Sequence, residues 1–238
     1  MPQNELENIK RFFDLADIII FKSNSELEII NSKIDLQIEK TKVIFPFVNK
    51  KFSTQVNSEI FKGAYSLKKY ILNIGVIEQN KNQLEIIKAF NFDYPKGYKL
   101  VFIGQPVDEN YFKECKNVSN ENVLFIPQMK SASDILVGAI NGCDLFVEIS
   151  NEPAGLSALE AAYSNRKTLL RDSSWSKEFF TKDNDNLISL DINEIAKKIN
   201  FKLNNNNMIK DKIYQNIKSK TNENNILELI KCIDKLRC

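Results

Sequence analysis

The sequence contains no histidine, and this absence narrows the chemistry open to the chain. It excludes a Ser-His-Asp triad, a Cys-His pair, a histidine-ligated zinc ion and a histidine general base within these 238 residues. Any reaction must therefore rely on carboxylates, amides, lysines and hydroxyls.

Cysteine is also scarce, and the charges nearly balance. The cysteines, at positions 115, 143, 232 and 238, form no C-x-x-C pair, which argues against a metal knuckle or a redox motif. A formal net charge of +2 indicates no nucleic acid partner and at most a peripheral membrane contact. Apolar runs such as Ile18–Phe21 are too short to span a bilayer, and the polar N-terminus argues against a secretory signal. We expect a cytoplasmic protein with reduced thiols.

From about residue 69 onward, apolar runs typical of strands alternate with helical patterns. Tyr70–Gly75 is a nearly continuous apolar run, whereas Gln83–Phe90 carries apolar residues at helical spacing. Such alternation indicates a parallel sheet that is covered on both faces. The predicted strands are 70–75, 100–104, 122–126, 144–148, 168–170 and 186–189, and the predicted helices are 83–90, 109–118, 131–141, 155–164 and 193–199.

We therefore predict an α/β fold with a doubly wound, mainly parallel, Rossmann-like sheet. The expected regions are a strand–helix–strand segment within 1–50, a linker over 51–68, the Rossmann-like domain over 69–200, and helices over 201–238. In such sheets the ligand binds beyond the carboxyl ends of the strands. The loops that face it would be 75–82, 104–108, 127–131, 148–156 and 171–178.

One of these loops is framed by two carboxylates, Glu152 and Glu160, with seven residues between them. The segment follows a predicted strand and opens a helix, so its free amides suit a phosphate and its carboxylates suit sugar hydroxyls. Acids that bracket a helix start are more often a solvated face, and an acid near a helix N-terminus also complements the macrodipole. Glu160, however, lies among small apolar residues, where an acid has few structural explanations. The pair is therefore a candidate site for a sugar nucleotide.

The order of motifs over residues 69–200 resembles the nucleotide-sugar-binding C-terminal domain of family 4 glycosyltransferases, which have the GT-B fold. The E-x7-E signature is present, with Gly155 and Leu156 in their expected places. The other matching segments are the strand ending at Gly75 with the loop 78–83, the strands 100–104 and 122–126, the approach 139–150, and Glu178 in the next loop.

This resemblance implies transfer of a hexose from a nucleotide sugar with retention at the anomeric carbon, without a metal or other cofactor. By resemblance, the candidate catalytic residues are Lys81, which would neutralise the diphosphate, and Glu152, which would accept hydrogen bonds from sugar hydroxyls. Glu160 would accept from the ribose hydroxyls. The remaining donor-binding residues, which act largely through backbone groups, would be Gly75, Gln128, Met129, Ala154, Gly155 and Leu156.

The chain departs from the family pattern at the phosphate site. Val76 replaces the arginine that follows the first-strand glycine, which removes a bidentate contact that Lys81 cannot reproduce. The signature also has Pro153 and Ala154 where a glycine and a phenylalanine are usual. The cations that could substitute, or that are ordinary surface charges, are Arg166, Arg171 and Lys177.

The same resemblance implies that most of a second domain is absent. Family members carry an N-terminal Rossmann-like domain for the acceptor, and residues 12–46 resemble only its last strand–helix–strand unit. The helices after 206 resemble the segment that packs back toward that domain. Strands at 16–21 and 43–45 would be exposed apolar edges, which invite pairing with another chain. We expect a homo-oligomer or a partner chain that covers residues 1–50.

Two classes of function remain open. The leading hypothesis is a retaining glycosyltransferase of polysaccharide biosynthesis, with a glycan or lipid-linked acceptor and a partner or oligomer that completes the acceptor site. The alternative is a non-catalytic subunit that binds a nucleotide sugar or serves as a scaffold, motivated by Val76 and the missing acceptor domain. A sugar-nucleotide epimerase with the GT-B fold is disfavoured by the absence of histidine and of the first domain.

Overall fold

A computed structural model describes residues 3–54, 56–153, 155–180, 186–205 and 211–236. The chain divides into two compact units. Val48–Lys218 forms the larger unit, and Met1–Phe47 together with Ser219–Cys238 forms the smaller one. Within the described ranges, no helix combines the length and the apolar character needed to cross a lipid bilayer.

The N-terminal part of the smaller unit contains the predicted strand–helix–strand arrangement. Its elements are α1 (Gln3–Leu15), β1 (Ile19–Phe21), α2 (Asn24–Asn31) and β2 (Thr41–Val43). The two strands pair in parallel, with Ile20 opposite Lys42. Ser23 begins α2 because its hydroxyl accepts a hydrogen bond from the Glu26 amide at 3.0 Å. Buried apolar residues on one face form a small core: Ile19, Phe21, Ile34 and Leu36.

The larger unit alternates strands and helices along the chain. Its elements are α3 (Glu59–Ala64), β3 (Lys69–Ile74), α4 (Gln83–Phe92), β4 (Tyr98–Ile103), α5 (Glu109–Val118), β5 (Val123–Ile126), α6 (Asp134–Gly142), β6 (Leu145–Glu148), α7 (Leu156–Tyr163), β7 (Thr168–Arg171), α8 (Ser174–Phe180), β8 (Leu187–Ile188), α9 (Ile192–Asn204) and α10 (Asp211–Lys220), whose last two residues are counted in the smaller unit. Short polar side chains begin several helices: Asp108 caps α5, Ser133 caps α6 and Asp191 caps α9.

Six parallel strands form the sheet of the larger unit, in the order β5-β4-β3-β6-β7-β8. The chain builds outward from β3 in one direction and then returns to place β6 on its other side, so β3 and β6 meet at the topological switch point. Leu72 pairs with Phe146 there. The predicted doubly wound, mainly parallel fold is confirmed.

A close approach of two backbones lies beneath this switch point. A Cβ atom added to Gly104, just after β4, would lie 1.8 Å from the backbone oxygen of Gly75, just after β3. Only glycine fits at that position without a shift of the backbone. The ends of β3 and β4 are therefore held together at the edge of the sheet that faces the loops.

Residues 51–68, predicted as a linker, belong to the larger unit instead. Phe52 and Phe61 are almost fully buried, and the ring of Phe61 lies 5.6 Å from that of Tyr70 in β3. The Asn141 side chain donates a hydrogen bond to the Thr54 carbonyl at 2.9 Å. The segment looked like a linker because its buried apolar residues are widely spaced and form no periodic run.

The last helix, α11 (Asn224–Lys235), is part of the smaller unit. Glu228 forms a 2.8 Å ion pair with Lys42 of β2, and the Asn225 side chain donates to the Pro46 carbonyl at 3.4 Å. The smaller unit is thus assembled from segments that lie on both sides of the larger unit in the sequence.

Candidate active site

Two loops meet at the carboxyl ends of β3 and β6. The Asn151 amide donates a hydrogen bond to the Asn80 carbonyl at 2.8 Å. The Asn82 side chain reaches across in the other direction and donates to the Ile149 carbonyl at 2.7 Å and to Asn151 Oδ1 at 3.1 Å. These bonds join the loop 75–82 to the loop 149–155, where ligands of doubly wound sheets bind.

Asn82 shapes the first of these loops. It is buried and has a left-handed backbone conformation, with φ of 54°, at the point where a short helical turn at 79–81 gives way to α4. Asparagine adopts this conformation more readily than most residues other than glycine. The turn places Lys81 at the switch point, and Gln83, the first residue of α4, donates from its side chain to the Val76 carbonyl at 2.8 Å.

The predicted catalytic residues, Lys81 and Glu152, are in direct contact across the switch point. Lys81 Nζ lies 2.9 Å from Glu152 Oε2, and the two side chains are 17% and 51% exposed. A partly exposed ion pair contributes at most about 1 kcal/mol, so a ligand can separate it at little cost. The structure therefore supplies one cation and one anion that a bound ligand can reach.

At the start of α7, one of the backbone amides predicted to bind the donor already has a partner within the protein. The Gly155 amide donates to the Glu148 carboxylate at 3.0 Å, so it is already bonded within the protein. Ser157 Oγ donates to the Ile74 carbonyl at 3.0 Å, which fixes the first turn of α7 against the end of β3. Leu156, the first residue of α7, is 43% exposed, and Ala154 lies outside the described residues.

Glu160 lies in the second half of α7 and is only 6% exposed. Burial raises the pKa of its carboxyl group to about 7. Its carboxylate has no hydrogen-bond partner among the described residues. A buried acid without a partner costs free energy, which is typical of a group that serves a ligand.

The three cations proposed as substitutes for the missing arginine lie in different places. Arg166 is at the amino end of β7, away from the switch-point loops, and donates to the carbonyls of Ser164 at 3.1 Å and Asn141 at 2.9 Å. Lys177 forms a 2.6 Å ion pair with Asp172. Arg171, at the carboxyl end of β7, donates from Nη1 to the side chain of Asn151 at 2.9 Å. Of these three cations, Arg171 is the one bonded to the loop that carries Glu152.

Other predicted donor-binding residues do not join this cluster. Gln128 and Met129 follow β5, the edge strand, which is separated from β3 by β4. No described contact connects either residue to Lys81 or Glu152. Gly75 has open space over its backbone, since an added Cβ would meet no atom within 4 Å.

Sequence reasoning missed three polar residues of the cluster: Asn82, Glu148 and Asn151. Glu148 is the last residue of an otherwise apolar strand, and it is buried. An acid at the carboxyl end of an apolar strand was the available signal. The two asparagines carried no signal of this kind, because their contacts join loops that are distant in sequence.

A cavity of about 400 Å³ adjoins the cluster and is lined mostly by polar side chains, among them Gln79, Asn80, Asn82, Asp108, Tyr111 and Asn151. A larger cavity of about 640 Å³ lies at the amino ends of β6 and β7, around Asn141 and Arg166. The smaller cavity is the one that shares residues with the switch-point loops. The described residues contain no group of three or more Cys, Asp and Glu side chains arranged to hold a metal ion.

The parallel sheet, with its paired loops at the switch point, is one Rossmann-like half of a GT-B glycosyltransferase fold. Residues 57–221 match the family model described as "Glycosyl transferases group 1". The chain therefore belongs to this family of glycosyltransferases, which transfer a glycosyl group from a nucleotide sugar.

Solved structures agree on the fold. The chain resembles Anabaena HepE, solved in complex with UDP and glucose, with a TM-score of 0.86 and 14% identity, over 99% of this chain and 68% of that one. It also resembles a glycosyltransferase from Rickettsia africae, with a TM-score of 0.79 and 15% identity, over 98% and 66% of the two chains. Sucrose-phosphate synthase from Thermosynechococcus elongatus matches with a TM-score of 0.80 and 17% identity, over 99% and 62%. A search of curated proteins found no match.

Proposed function

We propose that the protein transfers a hexose from a nucleoside-diphosphate sugar to a glycan or lipid-linked acceptor, in polysaccharide biosynthesis and with retention at the anomeric carbon. The contact between Lys81 and Glu152 at the switch point carries this proposal. In this proposal Lys81 is the cation for the diphosphate, and Glu152, in contact with it, is the acceptor for sugar hydroxyls. The HepE structures contain UDP or UDP-glucose, so uridine diphosphate sugars are the first donors to test.

Two cations would act on the leaving diphosphate. Lys81 is paired with Glu152 of the loop 149–155, and Arg171 is bonded to Asn151 of the same loop. Fixed positive groups of this kind stabilise the negative charge that develops as the glycosidic bond to phosphate breaks. We assign to Arg171 the role of the arginine that Val76 replaces.

The acids and the loop backbone would orient the donor. Glu152 would accept hydrogen bonds from the sugar, and Glu160 from the ribose hydroxyls. Backbone groups of Gly75, Ala154 and Leu156 would complete the phosphate and sugar site, and the loop with Gln128 and Met129 would face the base. We further propose that no metal ion takes part, so that turnover should persist in a chelator.

Calorimetric titration with UDP, UDP-glucose and the corresponding adenine and guanine nucleotides tests donor binding. A failure of all of them to bind would reject the proposal. Transfer to glycan acceptors, and hydrolysis of the donor in their absence, tests catalysis. Donor binding without turnover, unchanged in Glu152→Ala, would instead favour the non-catalytic subunit that Val76 makes the second candidate.

We also propose that another chain, either a second copy or a different polypeptide, covers residues 1–50 and completes the acceptor site. The sheet of the smaller unit has only two described strands, and parallel sheets are almost always covered on both faces. Ile20 of β1 is 36% exposed, and Phe12 and Leu15 of α1 are each 75% exposed. Sedimentation of the purified protein as a monodisperse monomer, with β1 and β2 protected from hydrogen exchange, would reject this proposal.

We place the protein in the cytoplasm. Cys115, Cys143 and Cys232 are buried free thiols, which is the state expected in a reducing compartment. Fractionation of cells that express a tagged protein would test this location.

A further inference from the structure

Glu148 is a buried carboxylate to which the family resemblance gives no role. It ends β6, whose four residues are all buried, and is only 4% exposed itself. A carboxylate in such a place loses its hydration and is stable only if other groups compensate. Because Glu148 lies at the switch point, the groups that compensate its burial belong to the candidate active site.

The two oxygens of Glu148 have unequal surroundings. Oε1 accepts hydrogen bonds from the Gly155 amide at 3.0 Å and from Ser150 Oγ at 3.1 Å. Oε2 is buried and has no hydrogen-bond partner among the described residues. Buried polar atoms are nearly always bonded, so an oxygen without a partner indicates that this arrangement serves something other than stability.

The Gly155 amide is the group through which Glu148 would affect a bound donor. Gly155 caps α7 and offers no side chain of its own, so the Glu148 carboxylate supplies the anion that a helix N-terminus favours. We infer that the Glu148 carboxyl group accepts the hydrogen bond of the Gly155 amide when no donor is bound, and that a nucleoside diphosphate binds in competition with it. This inference rests on the proposed function, since it takes the donor diphosphate to approach the same helix end.

The charges around Glu148 predict how the competition is resolved. Burial raises the pKa of Glu148 above its ordinary value, and the Gly155 amide, the Lys81 charge and the Ser150 hydroxyl oppose this shift only in part. Lys81 is also paired with Glu152, the nearest other acid of the loop. A diphosphate adds negative charge beside Glu148 and engages Lys81, so the carboxylate becomes less favourable. Glu148 therefore takes up a proton from solvent as the diphosphate binds.

Calorimetric titration with UDP in two buffers of different ionisation enthalpy measures this proton directly. We expect wild-type protein to take up more protons than Glu148→Gln as UDP binds, at the pH values where Glu148 is ionised in the free protein. At a pH where Glu148 is ionised in the wild type, Glu148→Gln should bind UDP about tenfold more tightly, because one of two interacting negative charges is gone. Glu121→Gln removes an exposed charge just before β5 and should behave as wild type.

Two further variants serve as controls for this experiment. Glu160→Gln should keep the proton uptake, which separates Glu148 from the other buried acid. Ser150→Ala removes a donor that favours the charged form of Glu148, so it should move the maximum of proton uptake to higher pH, even if Glu148→Gln does not fold. Equal uptake in wild type and Glu148→Gln, or no shift in Ser150→Ala, would overturn the inference and leave the proposed function standing. Absence of nucleotide binding in every protein would overturn both.

Discussion

Charged side chains at the amino and the carboxyl ends of the parallel strands differ in how fully they are bonded within the protein. At the amino end, Arg166 donates to two backbone carbonyls, and Lys167 donates from Nζ to the Lys202 carbonyl at 2.9 Å. At the carboxyl end, Glu148 has a buried oxygen without a described partner, and Glu160 is buried with no described hydrogen bond. The cations at the amino end are therefore bonded within the protein, whereas the carboxyl end combines the paired Lys81 and Glu152 with two buried acids whose bonding is incomplete.

The kind of group left unmatched distinguishes the two ends further. The buried atoms without described partners near the amino end are neutral, namely Asn165 Oδ1 and Thr168 Oγ1, whereas those at the carboxyl end are the neutral Gln83 Oε1 and the carboxyl oxygen Glu148 Oε2. An unpaired neutral group costs about 1–3 kcal/mol, and an unpaired buried charge costs more. Natural proteins retain buried charged groups without a partner mainly at functional sites, where these groups contribute to binding. This contrast is a second reason, independent of motifs, to place the active site at the carboxyl end.

The largest effect should come from Lys81→Ala. Removal of the cation beside the diphosphate should lower kcat/KM by roughly 100- to 1,000-fold, as expected for the loss of one preorganised charge-stabilising group. Steady-state transfer from the donor that binds best measures this change. Lys177→Ala, which removes an exposed lysine paired with Asp172, is the matched control and should stay near wild type. Equal losses in the two variants would remove the distinction between them.

The next effect is on stability and depends on pH. The folded-state pKa of Glu160 is about 7, above its usual 4.5, so the folded protein binds the proton more tightly than the unfolded chain. The contribution of Glu160 to stability is therefore full below pH 4.5 and is lost as pH rises to about 7. Glu160→Gln should raise the free energy of unfolding at pH 8 by at most roughly 3 kcal/mol. Denaturation at pH 5 and pH 8 measures the difference.

Glu160→Gln should at the same time weaken nucleotide binding, because the ribose loses a charged acceptor. The variant would thus be more stable and less active, as expected of a site that trades stability for function. A variant that is less stable at pH 8 than wild type would show that Glu160 has a protein partner in the folded state.

The smallest effect compares the two arginines at the ends of β7. Arg171→Ala should weaken UDP binding about tenfold and leave uridine binding unchanged, since a hydrogen bond to a charged group contributes about 1.5–3 kcal/mol. Arg166→Ala should instead lower the melting temperature and leave UDP affinity unchanged. Titration and thermal unfolding of both variants give a two-by-two comparison. If Arg166→Ala weakened UDP binding and Arg171→Ala did not, the phosphate site would lie at the amino end of β7, contrary to the proposal.

The contact between Lys81 and Glu152 shows how far the sequence could predict this site. The alternation of strands and helices placed both residues in loops at the carboxyl ends of strands, and the structure brings them to within hydrogen-bonding distance. The sequence could not predict that the Gly155 amide is bonded to Glu148, because that contact depends on the depth to which the end of β6 is buried. The burial of Phe52 and Phe61 was missed for the same reason, since it arises from packing against distant elements and not from local periodicity.

The division of the smaller unit between two segments of the chain also affects its biogenesis. Residues 48–218 leave the ribosome before α11, so the larger unit can fold during translation while the smaller unit still lacks its last helix. The smaller unit then closes only after synthesis has passed residue 218. A nascent chain whose residues 48–218 have all emerged from the ribosome should already carry a folded donor sheet, and any partner that requires the completed smaller unit would join afterwards.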